Sequence, residues 1–242
     1  MLAASTRERQ SFAKKEGFPL KKYIQWACVT LFLLIELPLY HMILTTGGDT
    51  LVYSSFFSIV ACFFYALIWA KKEPLTAAGL ACTVAADYFL VICDPIQRTW
   101  GMVFFLMAQS LYAVRLHRVI PSRVFWILRV GILSLGVAVA WMVLGSKTDL
   151  LAILSILYYA NLILNIFAAF SRFKTEKLAA FGFLLLILCD TVIGLQVACG
   201  GYLPIAEDSR IYKIIFMDFH LSWFFYLPSQ ILLALSVGLK KR

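Results

Sequence analysis

The sequence predicts an all-α fold, a polytopic transmembrane bundle of eight helices, and three observations carry that reading. Of 242 residues, 62% are hydrophobic and only 14% are charged, and the mean hydropathy is +0.85, a balance suited to a bilayer. The apolar residues gather into eight runs, near 21–45, 50–70, 75–93, 99–117, 123–144, 149–170, 177–199 and 211–238. Each has about the 20 residues that cross a hydrocarbon core. The basic residues between the runs sort to one side of the membrane.

The first run follows a polar head, Met1 to Lys22, and is too long for a signal-peptide apolar region, with no small-residue cleavage site, so it is expected to remain as a helix. It carries Glu36, two residues before Pro38. The second run ends at Lys71 and Lys72, and the third starts after Pro74 and holds Asp87. The fourth carries Gln109 and Tyr112, three apart and facing one way. The fifth contains Arg129. The sixth carries Tyr158, Tyr159, Asn161 and Asn165, of which the two Asn residues, four apart, suit an interhelical hydrogen-bond seam or a cavity wall. The seventh, FGFLLLILCDTVIGLQVACG, is uncharged but for Asp190, and the eighth carries Tyr226 and Gln230.

A net charge of +9 does not point to nucleic acid, because the charge is sorted by loop. The amino-terminal tail, the second, fourth and sixth connections and the carboxyl tail hold seventeen Lys and Arg, against four (Arg98, Lys147, Arg210, Lys213) on the other face. Both termini are therefore expected to be cytoplasmic. The expected organisation is a basic tail at 1–22, one transmembrane domain at 23–239 and a basic tail at 240–242. The six cysteines form no C-x-x-C pair and read as small apolar packing residues. A Cys93–Cys199 bridge is open but not favoured.

The run starts 21, 50 and 75 recur at 123, 149 and 177, and Asp87 recurs 103 residues later as Asp190. LMAQSLYA on the fourth run matches LPSQILLA on the eighth. Two parallel four-helix repeats, 21–117 and 123–238, are expected. Asp87 lies thirteen residues beyond Pro74, and Asp190 thirteen beyond Lys177, so both sit about 20 Å into the membrane, with Glu36 near the same level. An ionised Asp at the centre of a bilayer costs roughly 2.5–3.5 kcal/mol on insertion scales, so each needs a partner, water or a bound proton. A structural hydrogen bond between helices returns only about 0.6 kcal/mol. Asp87 and Asp190 therefore read as site residues. Gln109, Tyr112, Gln230, Glu36, Tyr158 and Asn161 are candidates for binding or supporting them.

No G-x-S-x-G, no G-x-x-x-x-G-K-[ST] and no H-E-x-x-H is present. The three histidines, His41, His117 and His220, are dispersed, so no metal and no cofactor is expected. What remains is a carboxyl pair in a low-dielectric cavity, one bearing a proton and the other ionised, suited to acid–base chemistry on a lipid.

The residues AADYFLVI around Asp87, GMVFFLMAQSLY from Gly101 to Tyr112, LILCDTVIG around Asp190 and the terminal FFYLPSQILLALS resemble, in order and spacing, the lysoplasmalogenase (YhhN-like) family of eight-helix membrane proteins. The resemblance extends over most of the chain. It implies hydrolysis of the vinyl ether bond of lysoplasmalogens to a fatty aldehyde and glycerophosphoethanolamine or glycerophosphocholine, with the lysophospholipid reaching the protein from the bilayer. Family members often carry His where this chain has Gln109. Two other classes stay open on the residues alone: a proton- or cation-coupled transporter using the same acids, and a non-catalytic lipid-binding membrane protein.

Overall fold

The computed structural model describes residues 2–119, 123–145, 148–201, 209–217 and 220–239. Among these it contains helices and no strand. The helices are α1 (Leu2–Thr45), α2 (Gly48–Ile68), α3 (Pro74–Asp87), α4 (Arg98–Val119), α5 (Arg123–Leu144), α6 (Leu150–Ser171), α7 (Phe173–Gly201), α8 (Arg210–Ile215) and α9 (Leu221–Gly238), with a π-helical turn, Tyr88–Ile92, continuing α3.

Local chemistry sets several of these ends. Pro74 opens α3, where its fixed φ suits a first helical turn and its missing N–H is not needed. Asp149 caps α6 by accepting from the Ala152 N–H at 2.7 Å. Pro228 inside α9 withdraws the N–H that would have served the Phe224 carbonyl four residues earlier. The Tyr40 hydroxyl donates to that carbonyl at 3.1 Å, as a bilayer interior requires of a freed backbone group.

Six helical segments are long and apolar enough to cross a membrane among the described residues: Lys22–Thr45, Gly48–Ile68, Pro74–Ile92, Leu150–Ser171, Phe173–Val197 and Leu221–Gly238. The fourth and fifth expected runs are present as α4 and α5, each of 22 residues, but they carry buried Arg115 and Arg129 and are not among the six. The helix α1 begins at Leu2, and its part long and apolar enough to cross a membrane begins at Lys22. Two further expectations change. The run 211–238 is not one helix: α8 stops at Ile215 and α9 starts at Leu221. Arg115, one of the seventeen bases assigned above to the tails and connections, is a buried structural cation. The tail 240–242 lies outside the described residues.

The helices pack α1 with α2, α2 with α3, α3 with α4 and α2 with α9, then α5 with α6, α6 with α7, α7 with α9 and α4 with α6, and α1 and α3 also pack on α9. Polar contacts define the two ends of the bundle. At one end, Arg115 pairs with Glu176 at 2.6 Å and with Glu73 at 3.5 Å and donates to Ser236 at 3.1 Å. The Gly238 carbonyl there accepts from Gln25 and Lys72. This is the basic end. At the other end, His220 Nε2 donates to the Thr46 carbonyl at 3.0 Å, joining the end of α1 to the start of α9.

Candidate active site

Asp87 closes α3 and Asp190 lies in α7, and both line one cavity of about 170 Å3. The rest of its wall is Leu90 and Val91 from the π-helical turn, Phe105 from α4, Cys189 and Ile193 from α7, and Ser222, Trp223 and Tyr226 from α9. The turn after Asp87 widens the helix by one residue per turn, with the Cys93 N–H reaching the Tyr88 carbonyl at 2.8 Å. Such π-turns recur at functional sites because they redirect side chains. Gly101 in α4 lets Leu90 lie directly against the backbone, where any Cβ would collide with it.

Each carboxyl is held by a tyrosine from another helix. Tyr226 Oη donates to Asp87 Oδ2 at 2.7 Å, and Tyr158 Oη donates to Asp190 Oδ2 at 2.6 Å. Phe105 packs between the two tyrosines, with ring centroids 5.6 Å from Tyr158 and 6.4 Å from Tyr226. Asp87 is only 3% exposed, while Asp190 is partly exposed. Asp87, Asp190 and Tyr226 thus line a cavity whose remaining walls are mostly apolar, and Tyr158, outside that wall, holds Asp190. Such a low-dielectric setting strengthens electrostatic contacts with a bound group.

Of the candidates read from the sequence, Asp87, Asp190 and Tyr158 come together here. The others lie elsewhere. Gln109 is buried and accepts from Asn165 Nδ2 at 2.8 Å. Asn161 and Asn165 accept from Arg129, so the seam reading of the two Asn residues describes their place, with a buried guanidinium as its donor. Tyr112 packs on Phe183 with centroids 5.4 Å apart, in the core. Gln230 donates to the neighbouring Ser229 hydroxyl at 3.2 Å. Glu36 is fully buried between α1 and α2, accepting from Ser58 and, at 3.5 Å, from Cys62. No group of three His, Cys, Asp or Glu side chains suited to a metal occurs among the described residues. All six cysteines, Cys93 and Cys199 included, are free thiols.

Tyr226 was one polar group among many in the sequence, and its role was missed. A signal did exist. It lies four residues before Gln230, directly before the segment that matches the fourth run, and 121 residues after Phe105, the offset that relates Gln109 to Gln230.

Searches of curated proteins and of solved structures gave no match to this chain. The family model YhhN matches residues 51–237, a stretch that holds both aspartates, both tyrosines and every residue of the cavity wall. The chain belongs to the YhhN family, the lysoplasmalogenase family of membrane proteins.

Proposed function

We propose that the chain is a membrane-embedded ether hydrolase that cleaves the vinyl ether bond of a lysoplasmalogen in the Asp87–Asp190 cavity. The observation that carries this reading is the pair of carboxyls on one cavity, each held at one oxygen by a tyrosine hydroxyl. One oxygen of each carboxyl is left to act on a substrate.

Vinyl ether hydrolysis begins with proton transfer to the carbon β to oxygen. The double bond supplies the electron pair, and an oxocarbenium ion forms. Water adds to the carbon α to oxygen and loses a proton, and the hemiacetal then collapses to a fatty aldehyde and the glycerol hydroxyl of the head-group fragment. One water is consumed and no oxidation occurs. In this reading one aspartic acid delivers the proton while the other orients the water and faces the developing cation, as in glycoside cleavage by two carboxyls. The tyrosines fix the carboxyl rotamers, which matters because small misplacements of catalytic groups are costly.

Purified protein assayed on alkenyl lysolipid beside its acyl and alkyl analogues tests the reading, and only the alkenyl lipid should be cleaved. Asp87→Asn and Asp190→Asn keep size and some hydrogen bonding but lose the titratable proton. Each should lower turnover by about 10²- to 10⁴-fold, and the double variant should lose little more, since residues acting as a unit are not additive. Folded single variants that both work at the parent rate would make the two carboxyls packing groups and remove the enzymatic reading.

A further inference from the structure

The cavity is not placed symmetrically between the ends of the bundle. Leu90 and Val91 lie within the last residues of the π-helical turn that ends at Ile92, and Ser222 and Trp223 lie in the first turn of α9. That turn sits beside the end of α1 through the His220 to Thr46 hydrogen bond. The cavity therefore reaches towards the end opposite Arg115, Glu73 and Glu176. On the side of the basic end it is closed by core residues, among them Tyr112, Leu116, Phe183 and Leu227, all 1% exposed or less.

Its sides differ as well. Ile193 is 44% exposed and lies within a segment, Phe173–Val197, apolar and long enough to cross the membrane. Trp223 in the wall and Trp100, 56% exposed at the start of α4, mark the level at which tryptophan settles between head groups and tails.

Depth supplies the remaining step. From Ser222 to Tyr226 is four residues of helix, about 6 Å. From the phosphorus of a lysoglycerophospholipid to its vinyl ether oxygen is five bonds of about 1.5 Å each, also about 6 Å end to end. A phosphate held at the level of Ser222 and Trp223 therefore sets the vinyl ether at the level of Tyr226 and Asp87.

We infer that the lysolipid is taken head-outward from the leaflet opposite the basic end, with its phosphate at the Ser222 and Trp223 rim and its vinyl ether deeper in the cavity beside Asp87. This rests on the hydrolase reading for the identity of the lipid, but the side of access is separable from it.

The test is thiol labelling in sealed vesicles whose orientation is read from an amino-terminal tag. Ser222→Cys and Trp223→Cys place a thiol at the rim, Lys71→Cys marks the basic end, and the parent protein sets the blank for the native cysteines. A membrane-impermeant cationic methanethiosulfonate should label Ser222→Cys or Trp223→Cys only from the face opposite the tag, and Lys71→Cys only from the tag face. Alkenyl lysolipid at ten times its Kd should slow rim labelling about tenfold, the factor set by mass action. Rim labelling from the tag face, from neither face, or at a rate the lysolipid leaves unchanged would overturn the inference. A protein that hydrolyses alkenyl lysolipid yet labels from the tag face sinks this inference alone. One that shows the expected protection but no hydrolysis sinks the hydrolase reading and keeps the binding geometry.

Discussion

Tyr226→Phe isolates one hydroxyl at the site. The ring is 6% exposed and packs edge-on against Trp223 with centroids 5.3 Å apart, and Phe retains both the burial and that contact. What is lost is the 2.7 Å bond to Asp87 Oδ2. A hydrogen bond to a charged group contributes about 1.5–3 kcal/mol, and 1.36 kcal/mol is tenfold in rate. If the bond serves to hold Asp87 in its reactive rotamer, kcat should fall about 10- to 150-fold. KM should change little, because the hydroxyl is committed to Asp87. Aldehyde release from alkenyl lysolipid gives both constants, and a thermal melt in detergent separates the rate loss from unfolding. A Tyr226→Phe protein with the parent kcat would show that Asp87 needs no such support, and the argument for paired Asp–Tyr units would fail. A rise in KM alone would instead make the hydroxyl a substrate contact.

Tyr158→Phe should cause a kcat loss of the same order through Asp190, measured in the same assay. Glu36→Gln should leave kcat within about twofold, since Glu36 is bonded to Ser58 and Cys62 and takes no part in the cavity wall, and surface or core changes away from a site act mainly on stability. Gly79→Ala should lower stability by about 1–3 kcal/mol, the usual range for overpacking, because the new Cβ would run into the Tyr112 ring; a melt at the parent value would contradict the packing described. Epitope tags at the two ends should both react with a reagent confined to the cytoplasm, given seventeen basic residues on one face against four on the other, and protection of one end alone would break that topology.

The aspartates were legible in the sequence because an acid in an apolar run carries a large desolvation cost that local structure cannot offset. Tyrosine carries no such cost. Its ring is apolar, so Tyr226 and Tyr158 look like any membrane-helix tyrosine until a partner is placed 139 or 32 residues away. Gln109 and Tyr112 illustrate the converse. Their spacing correctly put them on one side of α4, but periodicity does not say which neighbour that side meets, and it meets Asn165 and Phe183. Arg115 was misread for a related reason. It stands near the end of an apolar run, where a base usually reaches water, and its partner Glu176 is 61 residues away. The break between α8 and α9 follows the polar interruption Met-Asp-Phe-His at 217–220, which a count of apolar letters over 211–238 passes across.

The cavity wall also bears on how two like acids come to do unlike work. Asp87 and Asp190 are 103 residues apart, as are Leu90 and Ile193, and Phe105 and Tyr226 are 121 apart; all six line the cavity. On the repeat reading these are three pairs of equivalent positions around one axis. Perfect equivalence would give both acids the same surroundings, whereas hydrolysis needs one group to deliver a proton and another to hold water. The Phe105 and Tyr226 pair breaks the equivalence, because only Tyr226 has a hydroxyl, and it is committed to Asp87. Asp190 takes its hydroxyl from Tyr158 on α6 instead. Exposure differs in the same sense: Asp87 is almost wholly enclosed, while Asp190 is partly exposed. A cavity lined by nearly equivalent positions thus holds its two acids in unlike surroundings, each bonded to a tyrosine from a different helix.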